Sequence, residues 1–144
     1  MTEIDAGLVR RKIGLIVQNL DALAEIDGIP LERYIADRFR LKGTERLLQE
    51  TIEAAVDVNL HLLRANGLPV PPDYHASFIE MGKQGLIPSD LAERLAPATG
   101  LRNRLVHEYD RIDNEIVLAA VAKARAQFRE YVAAIEARLK KQGF

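Results

Sequence analysis

Between Asn114 and Lys141 the chain sets Val117, Val121, Ala124, Phe128, Val132, Ile135 and Leu139 three or four residues apart. That period returns an apolar side chain to one side of an α-helix at every turn, whereas in a strand it would scatter them over both faces. The segment is therefore predicted to be one long amphipathic helix. The same spacing recurs at Val9, Ile13, Ile16, Leu20 and Leu23, and again at Leu48, Ile52, Ala55, Val56, Asn59, Leu62 and Leu63. Helices with such stripes must bury them against one another, and no strand-period alternation competes. The predicted fold class is all-α, a helical bundle of about four main helices with short inserted helices.

Glycines, prolines and capping residues set the expected boundaries. A first helix from about Asp5 to Ile26 is stopped by Gly28 and Pro30, and Leu31 to Phe39 reads as a shorter one. Gly43 and Thr44 then punctuate the chain, Thr44 serving as N-cap of a helix over about Glu45 to Ala65. Gly67 is placed to close that helix. The segment from Gly67 to Asp73 holds three prolines and is predicted to be a stiff connection, with Asp73 capping a helix from Tyr74 to Lys83. Pro88 and Ser89 mark a further start, Pro97 and Gly100 a kink or break before the helix that follows, and Asp113 the cap of the last helix. Residues 1–144 read as a single domain.

Composition narrows the function. The chain has no cysteine, which removes disulfides and thiolate metal sites and fits a reducing compartment, so a cytoplasmic location is expected. No segment has the apolar length to span a bilayer, and Glu3 and Asp5 give the start an acidic rather than a signal-peptide character, so no membrane partner is expected. With a formal net charge of −1, the whole-molecule field does not draw in nucleic acid, and DNA is not an expected partner. Phosphate recognition must come from a local cluster of basic side chains.

Such a cluster lies in Leu101-Arg102-Asn103-Arg104-Leu105-Val106-His107-Glu108-Tyr109. On a continuous helix Leu101, Leu105, Tyr109 and Ile112 fall within roughly 80° and form a buried stripe. Arg102, Asn103, Val106, His107 and Asp110 fan over a second face of roughly 140°. A guanidinium, an amide and an imidazole on that face are the groups that grip a phosphate and move a proton. Asn103 and His107 are one turn apart and adjacent, whereas Arg102 stands roughly 140° from His107, awkward for a site within one chain. Tyr109 is expected at the edge of the buried stripe. Arg104 and Arg111 flank His107 in azimuth and are candidate contacts for RNA or a protein partner.

The pattern Arg102-Asn103, His107, Tyr109 resembles the R-x-x-x-x-H-x-Y signature of HEPN-domain ribonucleases, and most closely the HepT-like toxins of toxin–antitoxin pairs. Asp57 and His61 on their helix, Pro72-Asp73-Tyr74, and Asp110-Arg111-Ile112-Asp113 are similar to that family too. The resemblance implies an endoribonuclease that needs neither cofactor nor metal and builds its site across a homodimer. Arg102 and His107 would be catalytic and Asn103 supporting. It also implies a nucleotidyltransferase antitoxin of the MntA type as partner, which silences the toxin by transferring AMP onto Tyr109. On this reading the substrate is RNA, cleaved by attack of its own 2′-hydroxyl.

Blander readings stand beside these. Arg102 also suits a solvated helix position or a pair with Asp113, Asn103 a polar contact between helices, and Tyr109 a packing role. Asp57 and His61, at i and i+4, share a helix face, but two donors without a third make an incomplete metal set, and His75 has no evident reason to join them. A structural hydrogen bond or support for the motif helix is the favoured reading there. The competing function is a non-catalytic helical partner of a nucleotidyltransferase, which the near-neutral charge favours.

Overall fold

The computed structural model describes residues 3–144. Seven helices follow in order: α1 (Ala6–Leu23), α2 (Leu31–Ala36), α3 (Arg38–Ala65), α4 (Tyr74–Lys83), α5 (Ser89–Leu95), α6 (Ala98–His107) and α7 (Asn114–Lys141). No strand occurs among the described residues, and no helix among them is long and apolar enough to cross a membrane. The all-α bundle stands, with α1, α3 and α7 as its long rods.

Helix α3 is the axis. It packs against α1 along most of its length, and against α4, α6 and α7 on other sides. Its buried residues occupy nearly every turn, including Leu48, Ile52, Val56, Leu62 and Leu63. These meet Ile16, Leu20 and Leu23 of α1 and Phe128, Ile135 and Leu139 of α7 in one continuous core. Phe78 and Phe128 set their rings edge-on to Tyr131, at 6.0 and 6.3 Å between centroids, the arrangement that aligns ring edges with ring faces.

A buried polar relay runs through that core. The Tyr131 hydroxyl donates to Asn59 Oδ1 at 2.6 Å and lies 3.0 Å from the Ala55 carbonyl. Asn59 Nδ2 donates to Ser77 Oγ at 3.2 Å, and Ser77 in turn donates to the Tyr74 carbonyl at 2.7 Å. Three helices are thereby registered by groups that would each cost about 1–3 kcal/mol if left without a partner. The period places Asn59 on an apolar face; its partners explain why an amide is tolerated there.

The boundaries differ from expectation where α2 ends, at Ala36 rather than Phe39, and where α3 begins. Thr44 does not start a helix. Asp37 does, its carboxylate accepting from the Phe39 and Arg40 amides at 3.0 and 3.2 Å, and α3 continues through Gly43. The Thr44 hydroxyl, buried, donates back to the Arg40 carbonyl at 2.7 Å. A single glycine costs a helix interior about 1 kcal/mol, less than the packing a 28-residue helix gains. The expected break before the motif helix falls at Ala96 and Pro97, between α5 and α6, whereas Gly100 lies inside α6.

Two glycines are required, one by a turn and one by close packing between helices. Gly67 adopts φ +76° and closes α3 as expected, its amide bonding Arg64 and the Leu68 amide bonding Leu63. Gly82 faces α5 so closely that an added Cβ would come 2.6 Å from the Ala92 Cβ.

Candidate active site

Helix α6 anchors itself by Thr99, Leu101 and Leu105, which are buried against the bundle. Its remaining faces carry the polar groups. Arg102 turns toward α3, where its Nε donates to Glu53 Oε1 at 3.0 Å. Gln49 donates to the same oxygen, also at 3.0 Å. The guanidinium carbon lies 4.8 Å from the centre of the Tyr74 ring, a cation–π contact. One terminal nitrogen reaches Asn103 Oδ1 at 3.3 Å. Arg102 is thus held on three sides, while guanidinium N–H groups not used by Glu53 and Asn103 remain available to an anion. Its partner is Glu53; Asp113 instead caps α7 by accepting from the Glu115 and Ile116 amides.

His107 is the last residue of α6 and is exposed. No hydrogen bond joins it to Arg102 among the described residues. The helix stops there because Glu108 leaves helical geometry at ψ 36°, its amide still bonding Arg104. The Arg111 amide then closes a turn onto the Glu108 carbonyl at 2.9 Å. Tyr109 accordingly lies outside the helix and is 68% exposed, not part of the buried stripe. The stripe ends at Leu105, with Ile112 only half-buried. A helix continued through Ile112 would have removed Asp113 from the extended geometry that caps α7.

Arg104 lies on the other flank of α6, and Arg111 in the turn beyond its end. Together with Glu108, Ile112 and Ile116 they line a cleft of about 90 Å³ between the end of α6 and the start of α7. A second cleft, of about 120 Å³, continues from Leu101 and Arg104 toward Phe128. On the helix, Arg102 and Arg104 fall on opposite sides of His107 in azimuth.

Asp57 and His61 are taken up by contacts to α1 and its N-cap rather than to α6. Asp57 pairs with Lys12 at 2.8 Å, and His61 Nε2 accepts from the Asp5 amide at 2.9 Å, so both fasten α1 to α3. Among the described residues no group of three or more His, Cys, Asp or Glu stands where it could hold a metal ion. The residues that sequence reasoning missed are Glu53 and Gln49, and the ring of Tyr74. They stand 49 and 28 positions from Arg102 for Glu53 and Tyr74, separations no local pattern reports.

The fold and this site define a HEPN-like protein: an all-α bundle that carries an Arg-Asn, His, Tyr constellation on and just beyond a short surface helix. A profile of the family described as Ribonuclease HepT-like matches residues 16–135, and the chain belongs to that family. It is 38% identical to the tRNA nuclease HepT of Aphanizomenon flos-aquae over 139 residues, 96% of this chain and 95% of that protein. It is 31% identical to the mRNA nuclease HepT of Shewanella oneidensis over 90 residues, 62% of this chain and 68% of that protein. Among solved structures, a tri-AMPylated Shewanella oneidensis HEPN toxin in complex with MNT antitoxin is similar with a TM-score of 0.81 and 25% identity, over 90% of this chain and 97% of that one.

Proposed function

We propose that this chain is the toxin of a toxin–antitoxin pair and an endoribonuclease whose site is completed by a second copy of itself. The observation that carries the reading is the split character of α6. Arg102 is immobilised by Glu53, Asn103 and Tyr74, while His107 and Tyr109 are exposed, their side chains making no hydrogen bond among the described residues. A two-fold axis beside α6 brings two such helix ends together and supplies two imidazoles and two guanidinia to one phosphodiester.

The chemistry needs that doubling. Attack of a ribose 2′-oxygen on the adjacent phosphorus requires a base for the 2′-proton and an acid for the departing 5′-oxygen, on opposite sides of the phosphorus. One His107 takes the first proton and its two-fold mate gives the second, leaving a 2′,3′-cyclic phosphate. Acid–base help of this kind contributes about 10²–10⁴-fold. Arg102 meets the charge on the non-bridging oxygens, already oriented before substrate arrives. Asn103 supports by fixing one arm of that guanidinium. No step requires a metal or cofactor. The nuclease names of the relatives support RNA as substrate.

Regulation follows from Tyr109. Its phenol is exposed two residues beyond His107. A nucleotidyltransferase antitoxin of the MntA type would let that oxygen attack the α-phosphorus of ATP, releasing pyrophosphate and leaving AMP on the tyrosine. The added charge and bulk at the mouth repel incoming RNA. The AMPylated state and antitoxin partner of the Shewanella structure support this assignment. Arg104 and Arg111, at the neighbouring cleft, are placed for contacts to RNA or to that antitoxin.

The test incubates purified protein with total RNA in excess chelator, beside His107→Ala. Cleavage that persists in chelator and disappears in the variant is expected. Intact RNA with wild-type protein, its Tyr109 confirmed unmodified by mass spectrometry, would favour a non-catalytic binding role.

A further inference from the structure

Among the described residues the most exposed large apolar side chain is Phe39, at 92%. It stands in the first turn of α3 between Arg38 and Arg40, both exposed. From residue 33 to 46 the sequence has five basic residues against two acidic ones, in a chain of net charge −1. Both acids are already engaged: Asp37 caps α3, and buried Glu45 pairs with Lys42 at 3.2 Å. The surface here is therefore locally positive around a bare aromatic ring.

This patch is joined to the candidate active site by α3 itself. Arg38, Phe39, Lys42, Arg46, Gln49 and Glu53 fall within about 100° of arc on the helix, one longitudinal stripe. The side chains of Lys42 and Arg46 are 41% and 62% exposed, Arg46 carrying a loose pair with Glu50 at 3.3 Å. At the far end Gln49 donates to Glu53, which holds Arg102. Fourteen residues at about 1.5 Å each put Phe39 about 21 Å from Glu53, on the order of six stacked nucleotides at about 3.4 Å each.

We propose that this stripe is a track for the single-stranded RNA flanking the scissile bond: a base stacks on Phe39, while Arg38, Lys42 and Arg46 meet the phosphates leading back to Arg102. The inference rests on the ribonuclease reading and adds where the rest of the substrate lies. Aromatic rings interleaved with basic side chains are how proteins hold unpaired RNA irrespective of sequence. A protein partner fits less well, because interface cores are depleted of charge, whereas Phe39 stands between exposed Arg38 and Arg40 and the nearest exposed large apolar residue in sequence is Ile35.

The experiment measures fluorescence anisotropy of labelled oligoadenylates of about twelve and about four nucleotides, lengths that do and do not reach Phe39 from the site. The protein is full-length His107→Ala with and without Phe39→Ala or Arg38→Gln, and wild type is assayed for cleavage of total RNA in parallel. Phe39→Ala is expected to weaken the long probe roughly 5- to 100-fold and leave the short one unchanged. Arg38→Gln is expected to lower the slope of log affinity against log salt by about 0.7 for the long probe only. Unchanged binding of the long probe by both variants, with RNA cleaved by wild type, would overturn the track while the nuclease stands. Equal weakening of both lengths, or a loss of dimer or antitoxin affinity with RNA binding intact, would also overturn it. Failure of wild type to cleave, with neither probe bound, would remove the nuclease reading and the track together.

Discussion

Arg102 shows how much a single side chain depends on distant residues. Its azimuth on α6 was readable from spacing, but what fixes it, Glu53 on α3 and the Tyr74 ring on α4, belongs to other helices. Misplacing a charge-stabilising group by about 1 Å can cost on the order of 100-fold in rate. Glu53→Ala is therefore expected to lower kcat by about 10-fold or more with little change in melting temperature, since the pair is partly solvated. A double-mutant cycle checks it: once Arg102→Ala is present, Glu53→Ala should add nothing. A full additive loss would show that Glu53 acts elsewhere. Tyr109 makes the second residue-level prediction. Co-expression with a nucleotidyltransferase antitoxin should add mass in AMP units to wild type and none to Tyr109→Phe; equal labelling would remove Tyr109 from that role.

At the level of elements, legibility followed how local the signal is. The periods of α1, α3 and α7 appear in the sequence because burial repeats every turn, and Asp73, Asp113 and Gly67 announced their caps by residue type. Asp37 and Thr44 could both open a helix, and only packing decides between them: Thr44 is buried within α3, and a start there would leave Leu41 unpaired with the core. The end of α6 was hidden for a related reason. Residues 108–112 contain neither glycine nor proline, so nothing local stops the helix before Asp113 demands extended backbone. The short α2 is held by Tyr34, fully buried, whose phenol is pushed up to about 12 by burial and by nearby Glu45, a Thr44 hydrogen bond opposing. Burial raises the Tyr131 phenol as well. A raised folded-state value means the protonated phenol stabilises the fold fully below its ordinary value of 10.0, and that contribution is lost as pH rises toward 12. Urea midpoints should therefore hold up to about pH 10 and fall steeply above it, less steeply in Tyr34→Phe. An identical fall in the variant would contradict the role given to α2.

The whole molecule is a rigid carrier for one exposed helix end. Its core, relay and α1–α3 clasps, including Asp57–Lys12 and His61–Asp5, hold together the bundle on which α6 sits. The all-α class was legible in one chain because period is local, and so was the candidate motif of Arg102, Asn103, His107 and Tyr109, although Glu53, Gln49 and the Tyr74 ring beside Arg102 were not. How Arg102 and His107 cooperate was not, since one protomer sets them on different faces and their proposed meeting belongs to a second copy. That meeting is the central claim, and subunit mixing tests it most directly. Wild-type protein exchanged with increasing His107→Ala, hybrids verified by differently tagged capture, should lose activity as the square of the wild-type fraction. At an equal mixture about one quarter of the activity should remain, because a hybrid dimer lacks one of its two imidazoles. A linear decline, with about half remaining, would mean that each protomer cleaves RNA alone and that no shared site exists.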